Sequence, residues 1–454
     1  MLKCSLLVIC LLAIPLLADE ADRRRIAAHE PKMSYLDNGV IKFGVDLNLG
    51  GSVTYLSRSG TDQNLVNSWD FGRQIQMSYY SGPVPFTLPG KEMKKEWNFI
   101  GWNPIQVGDA FGHSSKLLEQ TNDGHLIHVK CVPMHWPLDN VPGECTFECW
   151  FELEGPAVQA YCRFFNNRPD HTKYPARTQE LPAVYTNGPW HRLMTYTGTE
   201  PFTDGPLTRI EKRKDEKGPW SQWIASESWA ALVDDNNFGL GILSPDIQSF
   251  SGGFSGKPGA GGTKESPTGY IAPNANEIID WNIEHEFRYE LIVGKLDEIR
   301  KYAVKHAPRP AQLAWVFEKN RQGWSYHEAE DTGWPIRGEL NVSLDRDHPI
   351  LVGPVALLKA SVSANLVIDA ALKSNRPSGR LYWRGLADKG FTAAKSMAIA
   401  LPADGEYHAT SIKLVGVEGW DGAVIQLRLD PVGHGAAGDW IKIRSIRIEP
   451  VKTP

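Results

Sequence analysis

Short runs in which apolar and polar residues alternate fill the first two thirds of the chain. GVIKFGVDLN, GSVTYLSR, RQIQMSYY, HLIHVKCVPM, CTFECWFELE, VQAYCRFF, SWAALVDD, FGLGILS and EFRYELIVG all follow a period near two, and clusters of Asn, Asp, Gly and Pro separate them. That period places successive side chains on opposite faces of a sheet, so each run reads as a strand. Strands that follow one another without intervening helices pair antiparallel. The first clear helical period is LDEIRKYAVKH at 296–306, and the Pro-containing segment 307–312 after it reads as a linker. Beyond it come PVALLKASV, NLVIDAALKS, GRLYWRG, KSMAIALP, EYHATSIKLV, AVIQLRLDP and DWIKIRSIRIEP, the turn-punctuated spacing of a second β-sandwich. The expectation is an all-β, antiparallel chain with one large unit over 19–306 and a smaller sandwich over 313–454.

Composition narrows the function classes. The 454 residues suit two or three domains. A net charge of −5 with 22% charged and 42% hydrophobic residues excludes a disordered polyelectrolyte and a basic nucleic-acid binder. No apolar run is long enough for a membrane span. Sixteen Trp is a high count, and their flat faces suit either sugar stacking or a large β core. Residues 1–18 combine Lys3, an apolar run and the small residue Ala18, followed by DEADRRR, which is the pattern of a cleaved secretory signal. A secreted or periplasmic protein is expected, with no cofactor; a structural calcium ion is left open.

Export permits disulfides. Of the cysteines, Cys131, Cys145, Cys149 and Cys162 follow the signal and fall in one meander. A hairpin turning at Gly155-Pro156 sets Cys149 opposite Cys162, so a Cys149–Cys162 disulfide is expected, with buried free thiols the alternative. The segment GGFSGKPGAGGTK, 252–264, lacks the first Gly of a phosphate loop and has Pro258 after Lys257; it reads as a mobile surface loop overhanging a cleft. Asn341-Val342-Ser343 is a glycosylation sequon only in a eukaryotic secretory pathway.

Two resemblances emerge from quoted segments. NGVIKFGVDLNLGGSVTYLSR, NLVNSWDFGRQIQMSYY and SWAALVDDNNFGLGILSP resemble the galactose-mutarotase-like β-supersandwich shared by aldose epimerases, several polysaccharide lyases and some glycoside hydrolases. ILVGPVALLKASV, LYWRG, GWDGAVIQLRLDP and GDWIKIRSIRI resemble carbohydrate-binding-like jelly-roll modules attached to secreted polysaccharide-degrading enzymes. The first resemblance implies that Arg73, in Gly72-Arg73-Gln74-Ile75, faces a sugar. It also implies an early His, matched in chain order by His113, and a late Glu, for which Glu284 and Glu286 are candidates.

The residues themselves point to the same region. Alternation in DFGRQIQMSYY groups Arg73 with Ile75 and Met77, and an Arg on such a face needs a partner, either a ligand or Asp70. The segment 177–192 carries Arg177, Glu180, Tyr185, Asn187, Trp190 and His191, and Pro182 and Pro189 mark it as an ordered loop. Arg73, His113, Glu180, Tyr185 and His191 are therefore the candidate catalytic residues. Tyr79, Tyr80, Trp102, Trp136, Arg177, Asn187 and Trp190 are candidates for binding sugar; no metal ligands are expected.

The expected partner is a polysaccharide or oligosaccharide, with oligomeric state left open. A lyase needs a cation against a uronate carboxylate and a Tyr or His to take the C5 proton. A hydrolase needs two carboxylates about 5–5.5 Å or about 6.5–9.5 Å apart, which Glu180 with Glu284 or Glu286 would supply. A mutarotase-type epimerase and a non-catalytic sugar-binding protein are the alternatives.

Overall fold

The computed structural model describes residues 20–214, 216, 219–307 and 313–451. Residues 1–18, expected to be a signal, and all of the expected linker 307–312 except Ala307 lie outside them. The described chain is all-β with antiparallel pairing. No described helix is long and apolar enough to cross a membrane.

Two large sheets face each other in the first unit. One runs in the order Met33–Asp37, Ile41–Asp46, Ser52–Arg58, Ile75–Ser78, Arg177–Asn187, Thr268–Glu277, Ser249–Ser255, Ser221–Ile224. The other centres on Glu284–Lys295, Ala157–Asn166 and Cys145–Glu154. Between them lie Phe43, Phe147, Phe151, Phe164, Leu181, Val184 and Leu291, all nearly free of solvent contact. Burial of each such side chain contributes roughly 1.5–3 kcal/mol. The helix Leu296–His306 covers a further apolar layer through Ile299 and Ala303. Two smaller sheets, built from strands between Ala314 and Pro450, enclose a separate core around Trp324, Leu351, Trp383 and Ile443.

The hairpin register is the one the turn required: Cys162 lies opposite Cys149. The expected disulfide is not present, because all four described cysteines are free thiols and the two sulfurs are 3.5 Å apart. Burial in the apolar core raises the Cys149 thiol well above its ordinary pKa. The thiolate that must attack to form a disulfide is thereby disfavoured.

The segment 177–192 is also corrected. Arg177–Asn187 is a strand inside the first sheet, not a loop. Pro182 cannot donate to a ladder, but it lies where the register shifts, between Glu180 and Val184 on one side and between Glu180 and Ala183 on the other. A bulge is where an interior strand tolerates proline. The extra residue also resets the alternation. Glu180 and Tyr185 differ in parity and would otherwise face opposite ways. With the bulge, Leu181 and Val184 enter the core while Glu180, Ala183 and Tyr185 share the outer face.

The first unit and the later sheets meet at an ionic cluster. Arg321, 3% exposed, pairs with Asp280 at 2.7 Å and Asp331 at 2.6 Å. Nearby, burial pushes Glu277 up to about 7 and His285 down to about 4. A raised carboxyl contributes stability below its unfolded pKa and loses it as pH climbs to the folded value, here from about 4.5 to about 7. The depressed His285 acts oppositely, losing stability as pH falls toward about 4. Glu277→Gln is therefore expected to gain on the parent as pH rises, by about 3 kcal/mol at pH 8. Urea unfolding at pH 5 and pH 8 measures this, and a gap that does not widen with pH would reject it.

Candidate functional site: an aromatic cleft around Glu180

The outer face of the first sheet carries a cavity of about 150 Å³, some ten times the room one water requires. Its floor is Gln76, Ser78 and Tyr80 from the strand at 75–78 and the segment after it, with Glu180, Ala183 and Tyr185 from the bulged strand and Thr268 from the next. Ile75 and Met77 point into the core, so the expected grouping of Arg73 with them fails: Arg73 precedes the strand and turns toward the cleft.

Glu180 is the polar centre. Burial raises its pKa, partly offset by hydroxyl hydrogen bonding. The Tyr80 hydroxyl donates to it at 3.1 Å. The Tyr270 hydroxyl faces the same carboxyl without closing a well-aligned hydrogen bond. Burial and the Glu180 charge together push Tyr80, Tyr185 and Tyr270 well above the usual phenol range, so all three stay protonated donors at neutral pH. Tyr185, Tyr270 and Trp220 pack in sequence at 4.8 Å between successive ring centroids, forming one aromatic wall. Trp97 and Trp136 meet edge-on at 5.9 Å and add a second. Gly72 lets the chain lie against Trp136, because a Cβ there would sit 2.8 Å from the indole ring.

The charged rim is internally paired. Arg73 donates to the Ser266 carbonyl at 2.6 Å and stands 3.5 Å from Asp70, so the structural partner considered from sequence is present. Lys94 pairs with Asp22 of the helix Glu20–Ala27 at 2.5 Å, and Ile26 from that helix also lines the cleft. Asp70, Glu96 and Glu180 are the carboxyl groups in the described lining. The Gly-rich segment borders the cleft through Ser255 but is tied down, with Gly261 and Gly259 bonded to Gly188 and Thr263 to Ser68. It is not the free loop its composition implied.

Of the expected catalytic residues, Arg73, Glu180 and Tyr185 line the cleft, as do Tyr80 and Trp136 from the binding set. The others are placed elsewhere. His113 is held by Asp109 at 3.0 Å, and His191 by the Pro189 carbonyl at 3.0 Å with Asp235 beside it. Tyr79, Trp102 and Trp190 are core side chains. Arg177 donates to the carbonyls of Ser81 and Ile100, and Asn187 to that of Asn64, so both brace the chain. Glu284 pairs with Arg163 and Glu286 accepts from Tyr161 on the exposed side of the second sheet, so neither joins Glu180 as a carboxyl pair. Gln76, Asn103 and Trp220 line the cleft and Tyr270 packs behind it against Tyr185 and Trp220; sequence reasoning missed all four. Both described groupings of His and Asp close enough to share one ion lie outside the lining.

No family model matches the chain, and no curated protein matches it. Among solved structures, a putative aldose 1-epimerase from Escherichia coli K12 is 11% identical at a TM-score of 0.36, over 59% of this chain and 100% of that one. A galactose mutarotase-like protein from Lactobacillus casei is 12% identical at a TM-score of 0.36, over 58% of this chain and 100% of that one. A low affinity xylan binding module from Roseburia intestinalis is 11% identical at a TM-score of 0.23, over 31% of this chain and 96% of that one. Over somewhat more than half its length the chain is thus similar to galactose mutarotase-like proteins, at a level of likeness that carries no function across.

Proposed function

We propose that this chain is an exported glycoside hydrolase, in which the cleft holds a poly- or oligosaccharide and Glu180 protonates the glycosidic oxygen. In this reading residues 19–306 form the catalytic unit and 313–454 an appended carbohydrate-binding-like sandwich. The supporting observation is the contrast between two carboxyl groups on one cleft. Glu180 is buried among phenols and an indole, which favours its protonated form. Asp70 is more exposed, with the Arg73 guanidinium against it, and suits the nucleophile or base. Glycoside hydrolysis needs one carboxyl group of each kind. Tyr185 lies within electrostatic reach of both groups and can donate to a sugar hydroxyl between them. The aromatic walls supply stacking faces.

The lyase reading has less support. Its cation must meet a uronate carboxylate, yet Arg73 and Lys94 are already committed to Asp70, Ser266 and Asp22.

A screen of neutral and uronic-acid polysaccharides tests the proposal. New reducing ends without 232-nm absorbance are expected. Absorbance at 232 nm would replace the proposal with a lyase. Mutarotation of free hexoses by polarimetry, or glycan binding without turnover, would replace it with the epimerase or with a binding protein.

A further inference from the structure

The two His and Asp groupings differ in what their oxygens already do. In the first, Asp109 accepts from the backbone N–H groups of Phe111 at 2.9 Å, His113 at 2.9 Å and Asn140 at 2.8 Å, besides the His113 ring. Both of its oxygens are used in shaping that loop. The second grouping joins two loops of the smaller unit, bringing Asp347 and His348 against His434.

There, one Asp347 oxygen lies 2.9 Å from Nδ1 of His434 and the other 3.3 Å from Nε2 of His348. A cation with bonds of about 2.0–2.1 Å holds adjacent ligands about 2.9 Å apart at right angles and about 3.4 Å apart in a tetrahedron. Each imidazole nitrogen thus stands at that spacing from an Asp347 oxygen, and one donor atom from each of the three residues lies within 4.8 Å of the others. A second observation concerns the tautomer. Nδ1 of His348 lies 3.2 Å from the Gly433 carbonyl, to which it donates, so Nε2 is the nitrogen that faces Asp347. An imidazole hydrogen-bonded to a carbonyl through one nitrogen is oriented to ligate through the other.

The backbones are fixed as well. Gly435 donates to the Asp347 carbonyl at 3.3 Å, and a Cβ on Gly435 would meet the carbonyls of Leu344 and Arg346 at 1.8 Å and 2.3 Å. Leu344 and Val432 anchor the two loops in the core. The three side chains are open to solvent, which gives an ion a path in and leaves positions for water.

We propose that Asp347, His348 and His434 bind one late first-row divalent cation, with zinc the best match, and that the ion clips the two loops together. Two imidazoles and a carboxylate suit zinc, copper or nickel, whereas calcium and magnesium take oxygen ligands. The calcium ion left open from sequence is not what this geometry fits. The charged neighbour Arg346 turns toward Glu330 and leaves the site accessible.

Zinc titration calorimetry on the full chain, prepared without a histidine tag, tests this. The expected result is one zinc per chain with no competition from calcium. His348→Ala and His434→Ala are each expected to weaken binding by at least about tenfold with the circular dichroism spectrum unchanged. His113→Ala is expected to leave binding unchanged. A parent chain that binds no zinc, variants at 348 and 434 that bind like the parent, or loss of binding through His113→Ala instead would each overturn the proposal.

Discussion

Glu180→Gln is expected to lower turnover by about 10²–10⁴-fold, the range contributed by a positioned general acid or base. Gln fills the same space and still accepts the Tyr80 hydroxyl, so the cleft keeps its shape. What it lacks is the proton for the glycosidic oxygen. Stability should move the other way. Because burial raises Glu180, its contribution to stability is present below the ordinary carboxyl pKa and declines as pH rises through the folded value. Gln removes that decline, so the variant is expected to be at least as stable as the parent at pH 8. Initial rates and urea melts on the same preparations separate the two effects. A folded variant that loses less than tenfold would remove Glu180 from the chemistry.

Arg321→Leu is expected to cost about 3–5 kcal/mol of stability. The guanidinium makes bidentate contact with Asp331, Nε at 2.6 Å and Nη2 at 2.9 Å, while Nη1 reaches Asp280 at 2.7 Å. All three residues are nearly free of solvent contact, so the variant leaves two carboxylates buried without their cation. The penalty comes from that stranded charge, not from the net worth of the cluster. Adding Asp280→Asn and Asp331→Asn to Arg321→Leu should therefore recover much of the loss. Thermal and urea unfolding of the single and triple variants provide the comparison; a triple variant no better than the single one would refute the stranded-charge explanation.

Local periodicity carried much of the fold. The helix at 296–306 and the Cys149–Cys162 register follow from spacing alone, and both hold. The cleft was half legible. Glu180 and Tyr185 stood out by residue type, but the bulge at Pro182 that sets them on one face depends on two neighbouring strands. Trp220 and Tyr270 escaped notice because sheet order sets 268–277 beside 177–187 and carries 221–224 onto the same sheet beyond 249–255, and no local pattern encodes that order. Residue type also misled where it says nothing about facing. Trp102 and Trp190 fill the core of the first unit, as Trp324 and Trp383 fill that of the second. His434 lies 87 residues from Asp347, so the ion site had no signature in spacing.

The most direct measurement is a crystal structure of the Glu180→Gln variant soaked with the best oligosaccharide from the polysaccharide screen. The expected result is a sugar in the cleft between the Trp97–Trp136 pair and the Tyr185–Tyr270–Trp220 wall, with a glycosidic oxygen within hydrogen-bond reach of the side-chain amide introduced at position 180. A saccharide seated elsewhere, with only water against that amide, would contradict it.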